Sequence, residues 1–116
     1  MLLGALVDAG VPLSHLKREL KKIPVAGYQL TSSKVQRHGI SATKVDVHLT
    51  KHAHPARTWQ DVKSLIHAST LSNDIAEKGL GIFKMLFHAE AKVHGVAFQK
   101  AHLHELAAVD CIVDIF

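Results

Sequence analysis

The stretch Ala101–Phe116 reads AHLHELAAVDCIVDIF, and it places His102 and His104 one residue apart with Glu105 directly after. In an extended segment side chains alternate, so His102 and His104 point to one side and Leu103 to the other. Two imidazoles on one face, followed by a carboxylate, make half of a metal site or of an acid–base pair. A second group lies in HAEAKVHG, with His88, Glu90 and His94. Glu90 and His94 are four apart, so on a helix they share a face with Cβ atoms ~5–6 Å apart, and His88 is displaced from it by about half a turn. That spacing permits joint coordination and equally an ordinary surface hydrogen bond. The third group is His48, His52 and His54, the last two in a stretch broken by Pro55. A loop lets such imidazoles reorient toward a metal, or carries them as plain polar residues.

Ten histidines equal the ten acidic residues in number, which nominates handling of a borderline metal such as nickel, zinc or copper. The net charge of +4 is modest and the positive residues are scattered, the densest cluster being Lys17, Arg18, Lys21 and Lys22. Nucleic-acid binding is not expected from that pattern. No apolar run approaches the ~20 residues that span a bilayer, so no membrane partner is expected either. The single Cys111 excludes an internal disulfide and suits a reducing cytoplasm. Set among apolar neighbours, with no activating base nearby in sequence, it is expected to be structural. Phosphate-binding glycine loops and nucleophile elbows are absent from the sequence.

The elements that must position these groups are mixed, and the fold class is α+β. Leu2, Leu3, Leu6 and Val7 have helical spacing, Gly10 ends that helix, and Pro12 opens another lined by Leu13, Leu16 and Leu20. The two are expected to form a helical hairpin. YQLTSSKVQ and ATKVDVHL alternate in polarity around RHGIS, which predicts a two-stranded antiparallel hairpin turning at Gly39. Thr58 and Asp61 have capping-box spacing at the head of WQDVKSLIHAS. One long helix is predicted from about Ser72 to Val93, with Ile75, Ile82, Leu86, Ala89 and Val93 as its apolar period and Gly95 as its cap. AFQKAHLHE reads as an extended segment, a third strand, and LAAVDCIVDIF as the start of a further helix. Asp110 and Asp114 then lie one turn apart, where they could back the histidines as outer carboxylates or simply face solvent. Both ends of the chain stand in mid-pattern, so residues 1–116 are expected to be one domain that is a fragment of something longer.

Taken in order, MLLGALVDAGVPLSHLKREL, RHGISATKVDV, AEAKVHGV and HLHELAAVDCIVDI resemble the N-terminal half of the nickel-insertion (LarC-type) proteins. The resemblance covers nearly the whole chain. Its departures are a start at the Met of an SGISGDM-like turn, a shortened histidine loop, and Ala107 and Cys111 where Gly and Ser are common. The resemblance implies CTP-dependent insertion of nickel into pyridinium-3,5-bisthiocarboxylic acid mononucleotide, with CTP and its divalent metal expected only of the full-length protein. It implies metal contact for His52, His54, Glu90, His94, His102 and His104; a carboxylate or imidazole could accept the released proton, and Glu105 is the candidate for that role. It also places Arg37, His38 and Gly39 as contacts to an anionic ligand, although a hairpin turn explains that triplet as well. The expected partners are nickel, the mononucleotide, and a second copy or the missing C-terminal half. A non-catalytic histidine-rich metal-binding or interaction domain is the competing expectation.

Overall fold

The structure is a computed structural model that describes residues 2–50, 56–103 and 105–116, with 105–107 described by backbone alone. The elements in order are α1 (Leu2–Asp8), α2 (Leu13–Leu20), β1 (Tyr28–Arg37), β2 (Ile40–Leu49), β3 (Arg57–Thr58), α3 (Trp59–His67), α4 (Asn73–His94), β4 (His102–Leu103) and α5 (Glu105–Ile115), with a 3-10 turn at Phe98–Lys100. This is the α+β class the alternating patterns predict.

β1 and β2 pair antiparallel in unbroken register, from Tyr28 opposite Leu49 to Arg37 opposite Ile40. Their two-residue connection, His38 and Gly39, has positive φ at both positions (50° and 80°), the geometry of a type I′ turn. That turn matches the right-handed twist of the strands and requires a residue such as Gly at its second position. α1 lies on β2, where Gly4 lets the helix backbone approach so closely that an added Cβ would run into the Thr43 carbonyl oxygen. Asp8 fastens the same contact, accepting from Thr43 Oγ1 and Lys34 Nζ at 2.6 Å each. The expected helical hairpin is thereby corrected: α2 follows α1 in sequence, but α1 packs mainly on β2. The hairpin offers a long apolar seam at Val45 and Val47, whereas the short α2 commits Leu20 to the common core.

The extended segment expected in AFQKAHLHE forms β4, which pairs with β3 in a separate two-stranded sheet, Arg57 opposite Leu103 and Thr58 opposite His102. Thr58 ends β3 and caps α3: its hydroxyl accepts from the Asp61 amide, and the Asp61 carboxylate accepts from the Thr58 amide at 2.8 Å. The long helix α4 ends on Gly95 in the left-handed conformation, as its sequence predicts.

The core is centred on α4. Phe83 and Phe87 are fully buried, together with Val62 and Ile66 of α3 and Val109, Ile112 and Val113 of α5. Phe116 stacks on Phe83 with ring centroids 5.7 Å apart. The helix therefore turns Gly79, Phe83, Phe87 and Ala91 inward. The apolar series expected to line it stays largely outside: Ile75, Ile82 and Val93 are exposed. Two apolar stripes compete on this helix, and the one carrying two phenylalanines offers the larger area to bury.

Gly4→Ala is expected to lower stability by about 1–3 kcal/mol, because the new methyl meets backbone rather than a side chain that could rotate away. Thermal or urea unfolding checks this, and an unchanged midpoint would show that α1 is not held against β2.

Candidate metal site

Glu90 and His94 project from the last turns of α4. Their side chains meet, His94 Nε2 lying 3.1 Å from Glu90 Oε1. A carboxylate at neutral pH only accepts, so Nε2 donates and the lone pair of the ring resides on Nδ1. His102 comes from β4, the strand paired with β3. Leu103 is buried and His102 exposed, the alternation expected of an extended pair. The His102 ring sets Nδ1 3.4 Å from the Lys100 carbonyl, which can only accept, so here Nε2 holds the lone pair. Each imidazole thus has a ring nitrogen engaged by the protein, the way proteins orient metal-binding histidines.

These three side chains line one concavity of about 240 Å³, together with Val96, Lys100 and Ala101. Aromatic packing fixes its two walls relative to each other. Phe98, from the turn that leads into β4, lies 6.0 Å from Trp59 and 6.3 Å from Phe87. His88 takes no part in the concavity lining and instead packs on Phe98 at 4.4 Å. Among the described residues, no three His, Cys, Asp or Glu side chains are close enough to hold a metal together.

The remaining candidates are placed as follows. His52, His54 and His104 lie outside the described residues, and so does the side chain of Glu105. β3, which starts two residues after Pro55, pairs directly with the strand that bears His102. Arg37, His38 and Gly39 form the closing turn of the β1–β2 hairpin and do not line the Glu90–His94–His102 concavity. His48 is likewise elsewhere, bonded through Nε2 to Thr31 Oγ1 at 2.9 Å.

Of their two readings Asp110 and Asp114 follow the second: both are exposed, and neither lines the Glu90–His94–His102 concavity. Asp110 and Asp114 line another cavity of about 330 Å³, against Lys44, Asp46 and Leu49. Partial burial, and secondarily the neighbouring Asp114, push the Asp110 carboxyl above its usual range. Their position follows from α5 burying Val109, Ile112 and Val113, which turns positions 110 and 114 toward the hairpin side. Cys111 is half-buried, and desolvation raises its thiol, in keeping with a structural role. Lys100 was not singled out by the sequence, yet it shares the histidine concavity. Its signal was proximity: it stands two residues before His102, at the end of the 3-10 turn that leads into β4.

The comparisons with known proteins show the family. The family described as "Nickel insertion protein" matches this chain over residues 1–116. This chain belongs to the nickel insertion protein family. Among its relatives is the pyridinium-3,5-bisthiocarboxylic acid mononucleotide nickel insertion protein of Geobacillus kaustophilus (strain HTA426), 44% identical over 126 residues that cover 99% of this chain and 30% of the relative. The proteins of the same name from Akkermansia muciniphila (44% identical, 30% of the relative) and Desulfitobacterium hafniense (strain DCB-2; 45%, 28%) each match 99% of this chain. The chain therefore spans about 30% of the length of these relatives. No solved structure matches it. No described helix is long and apolar enough to cross a membrane.

The Thr58–Asp61 box holds β3 and α3 in place beside β4, and its acid dependence is testable. The hydrogen bonds from Thr58 hold the Asp61 carboxyl below its ordinary 3.8. A depressed folded value stabilises the protein above the unfolded value and is lost as pH falls through the folded one. Thr58→Ala is expected to cost about 1 kcal/mol at pH 7. Asp61→Asn should cost stability at pH 7 and progressively less below pH 3.8, measured by urea unfolding. A cost independent of pH would contradict the ionised capping box.

Proposed function

We propose that this chain is the nickel-receiving part of a protein that inserts nickel into pyridinium-3,5-bisthiocarboxylic acid mononucleotide. The observation that carries the reading is that His94, bonded to Glu90, and His102 line one concavity. Membership of the nickel insertion family and the names of its relatives supply the metal and the acceptor.

Nickel is cargo in this scheme. His94 and His102 take it up, and His104, His52 and His54 complete its ligand set. Glu90 keeps the His94 ring in its tautomer and orientation. Imidazoles suit a temporary hold, because they bind nickel well and yield it to a sulfur-rich chelator. Lys100, a strongly hydrated cation at the same concavity, attracts the anionic thiocarboxylates of the acceptor. On transfer, the two sulfurs and a pyridinium ring carbon become nickel ligands. The ring C–H bond breaks, its electron pair forms the nickel–carbon bond, and the proton passes to a base, the role we give Glu105. Arg37, His38 and Gly39 at the hairpin tip meet an anionic group of a ligand or of the remaining polypeptide. CTP, with its divalent metal, acts on parts of the relatives that this chain does not cover. The setting is cytoplasmic, and the activity falls in the lyase class when those parts are present.

The chain covers less than a third of its relatives, and no complete ligand trio stands among the described residues. The ten histidines also suit a second reading: a metallochaperone domain that buffers nickel while the insertion chemistry resides elsewhere.

Nickel titration by calorimetry at neutral pH tests the first step. About one nickel per chain is expected. His94→Ala and the pair His102→Ala/His104→Ala should each weaken binding by 100-fold or more, on the order of a lost ligand. Glu90→Gln should weaken it by about 10–100-fold, the usual effect of removing an orienting partner. Unchanged affinity in all three would remove this site from nickel handling. Nickel transfer to the mononucleotide, assayed with and without CTP, then separates insertion from buffering.

A further inference from the structure

The face of α4 opposite the phenylalanines carries Ile75, Ile82, Met85 and Val93, which are 45%, 46%, 67% and 79% exposed. Val96, just past the helix, extends the series and is also exposed. Exposed side chains of this kind are unremarkable singly, but here four share one face of a 22-residue helix. Ile75 and Val93 are five whole turns apart and so have the same azimuth, with Ile82 close to it and Met85 to one side. The stripe is about 27 Å long.

Lys78, bonded to Asp74, stands on the same face between Ile82 and Met85 in azimuth, and the outer charges flank the stripe in a self-complementary order. Asp74 stands in the first turn of α4 and Lys92 in the last. They too are five turns apart, so they lie along the same edge of the stripe. We propose that this face pairs with the α4 face of a second copy of this chain, the two helices running antiparallel about a two-fold axis between Ile82 and Met85. About that axis Asp74 faces the partner's Lys92, Ile75 faces the partner's Val93, and Ile82 faces the partner's Met85. A two-fold contact must match a surface to itself, and this ordering of residues does so. The antiparallel arrangement also opposes the two helix dipoles favourably. Within one chain Asp74 is bonded to Lys78 at 2.9 Å in an exposed pair, which leaves it available to a second cation. One helix pair is a small contact, at the low end of interface sizes, so the association is concentration-dependent.

The test is sedimentation velocity of the full chain over a concentration series, with EDTA present so that histidine-bridging metal plays no part. The expected result is a shift from 12.7 kDa toward twice that mass as concentration rises. Met85→Lys should abolish the shift with an unchanged circular dichroism spectrum, since the side chain is exposed in the monomer. Asp74→Lys and Lys92→Asp should each weaken self-association by about tenfold, through loss of two symmetry-related pairs. Mixing those two variants should restore it, because both cross-pairs are then of opposite charge. A chain that stays monomeric up to about 1 mM would overturn the proposal, that being the limit of a −4.1 kcal/mol interaction. A dimer indifferent to Met85→Lys and to the charge swap would overturn it equally, as would a stripe covered instead by further polypeptide, seen as a monomer at every concentration.

Discussion

Burial of Phe83 and Phe87 sets the rotation of α4 about its axis, and most of the functional geometry follows from that one constraint. Both rings are withdrawn wholly from water between α3 and α5. With the helix turned that way, Glu90 comes to lie half-buried at the margin of the core, and His94 reaches past its end, next to the approach to β4. The opposite face, with Ile82 and Met85, has to stand in solvent or against another molecule. A rotation of one residue position would carry Glu90 and His94 away from β4 and dismantle the concavity.

A second, smaller constraint brings the other wall. The β3–β4 sheet is only two residues long per strand, too short to be stable alone. It persists because Leu103 and Ala101 are buried, Phe98 is packed on Trp59 and Phe87, and Thr58 caps α3. Local capping, aromatic packing and strand alternation thereby converge on one outcome: Leu103 inward, His102 outward, beside Glu90 and His94.

Much of this was legible in the sequence, where the signals are local. The type I′ turn at His38–Gly39, the Thr58–Asp61 box, the Gly95 cap and the Glu90–His94 spacing each depend on residues within a few positions of one another. The period of α4 identified a helix correctly but chose the wrong stripe. Ile75, Ile82 and Val93 recur as regularly as Phe83 and Phe87, and only the neighbouring elements decide which set is covered. The pairing of Arg57–Thr58 with His102–Leu103 joins positions some forty-five residues apart and has no pattern of its own in so short a strand. The placement of Asp110 and Asp114 against Lys44 and Asp46 escaped for the same reason. It is set by which face of α5 the core accepts, not by their own spacing.

The central claim is that His94 and His102, from different elements, serve one metal ion. The most direct measurement is a double-mutant cycle on nickel affinity with His94→Ala, His102→Ala and the double variant, each checked for native circular dichroism. If both imidazoles hold the same ion, the effects couple: after one ligand is lost, removing the second costs clearly less than it does in the parent. Strictly additive losses, or a loss confined to one variant, would mean that the two histidines do not share an ion and that the concavity is not the nickel site.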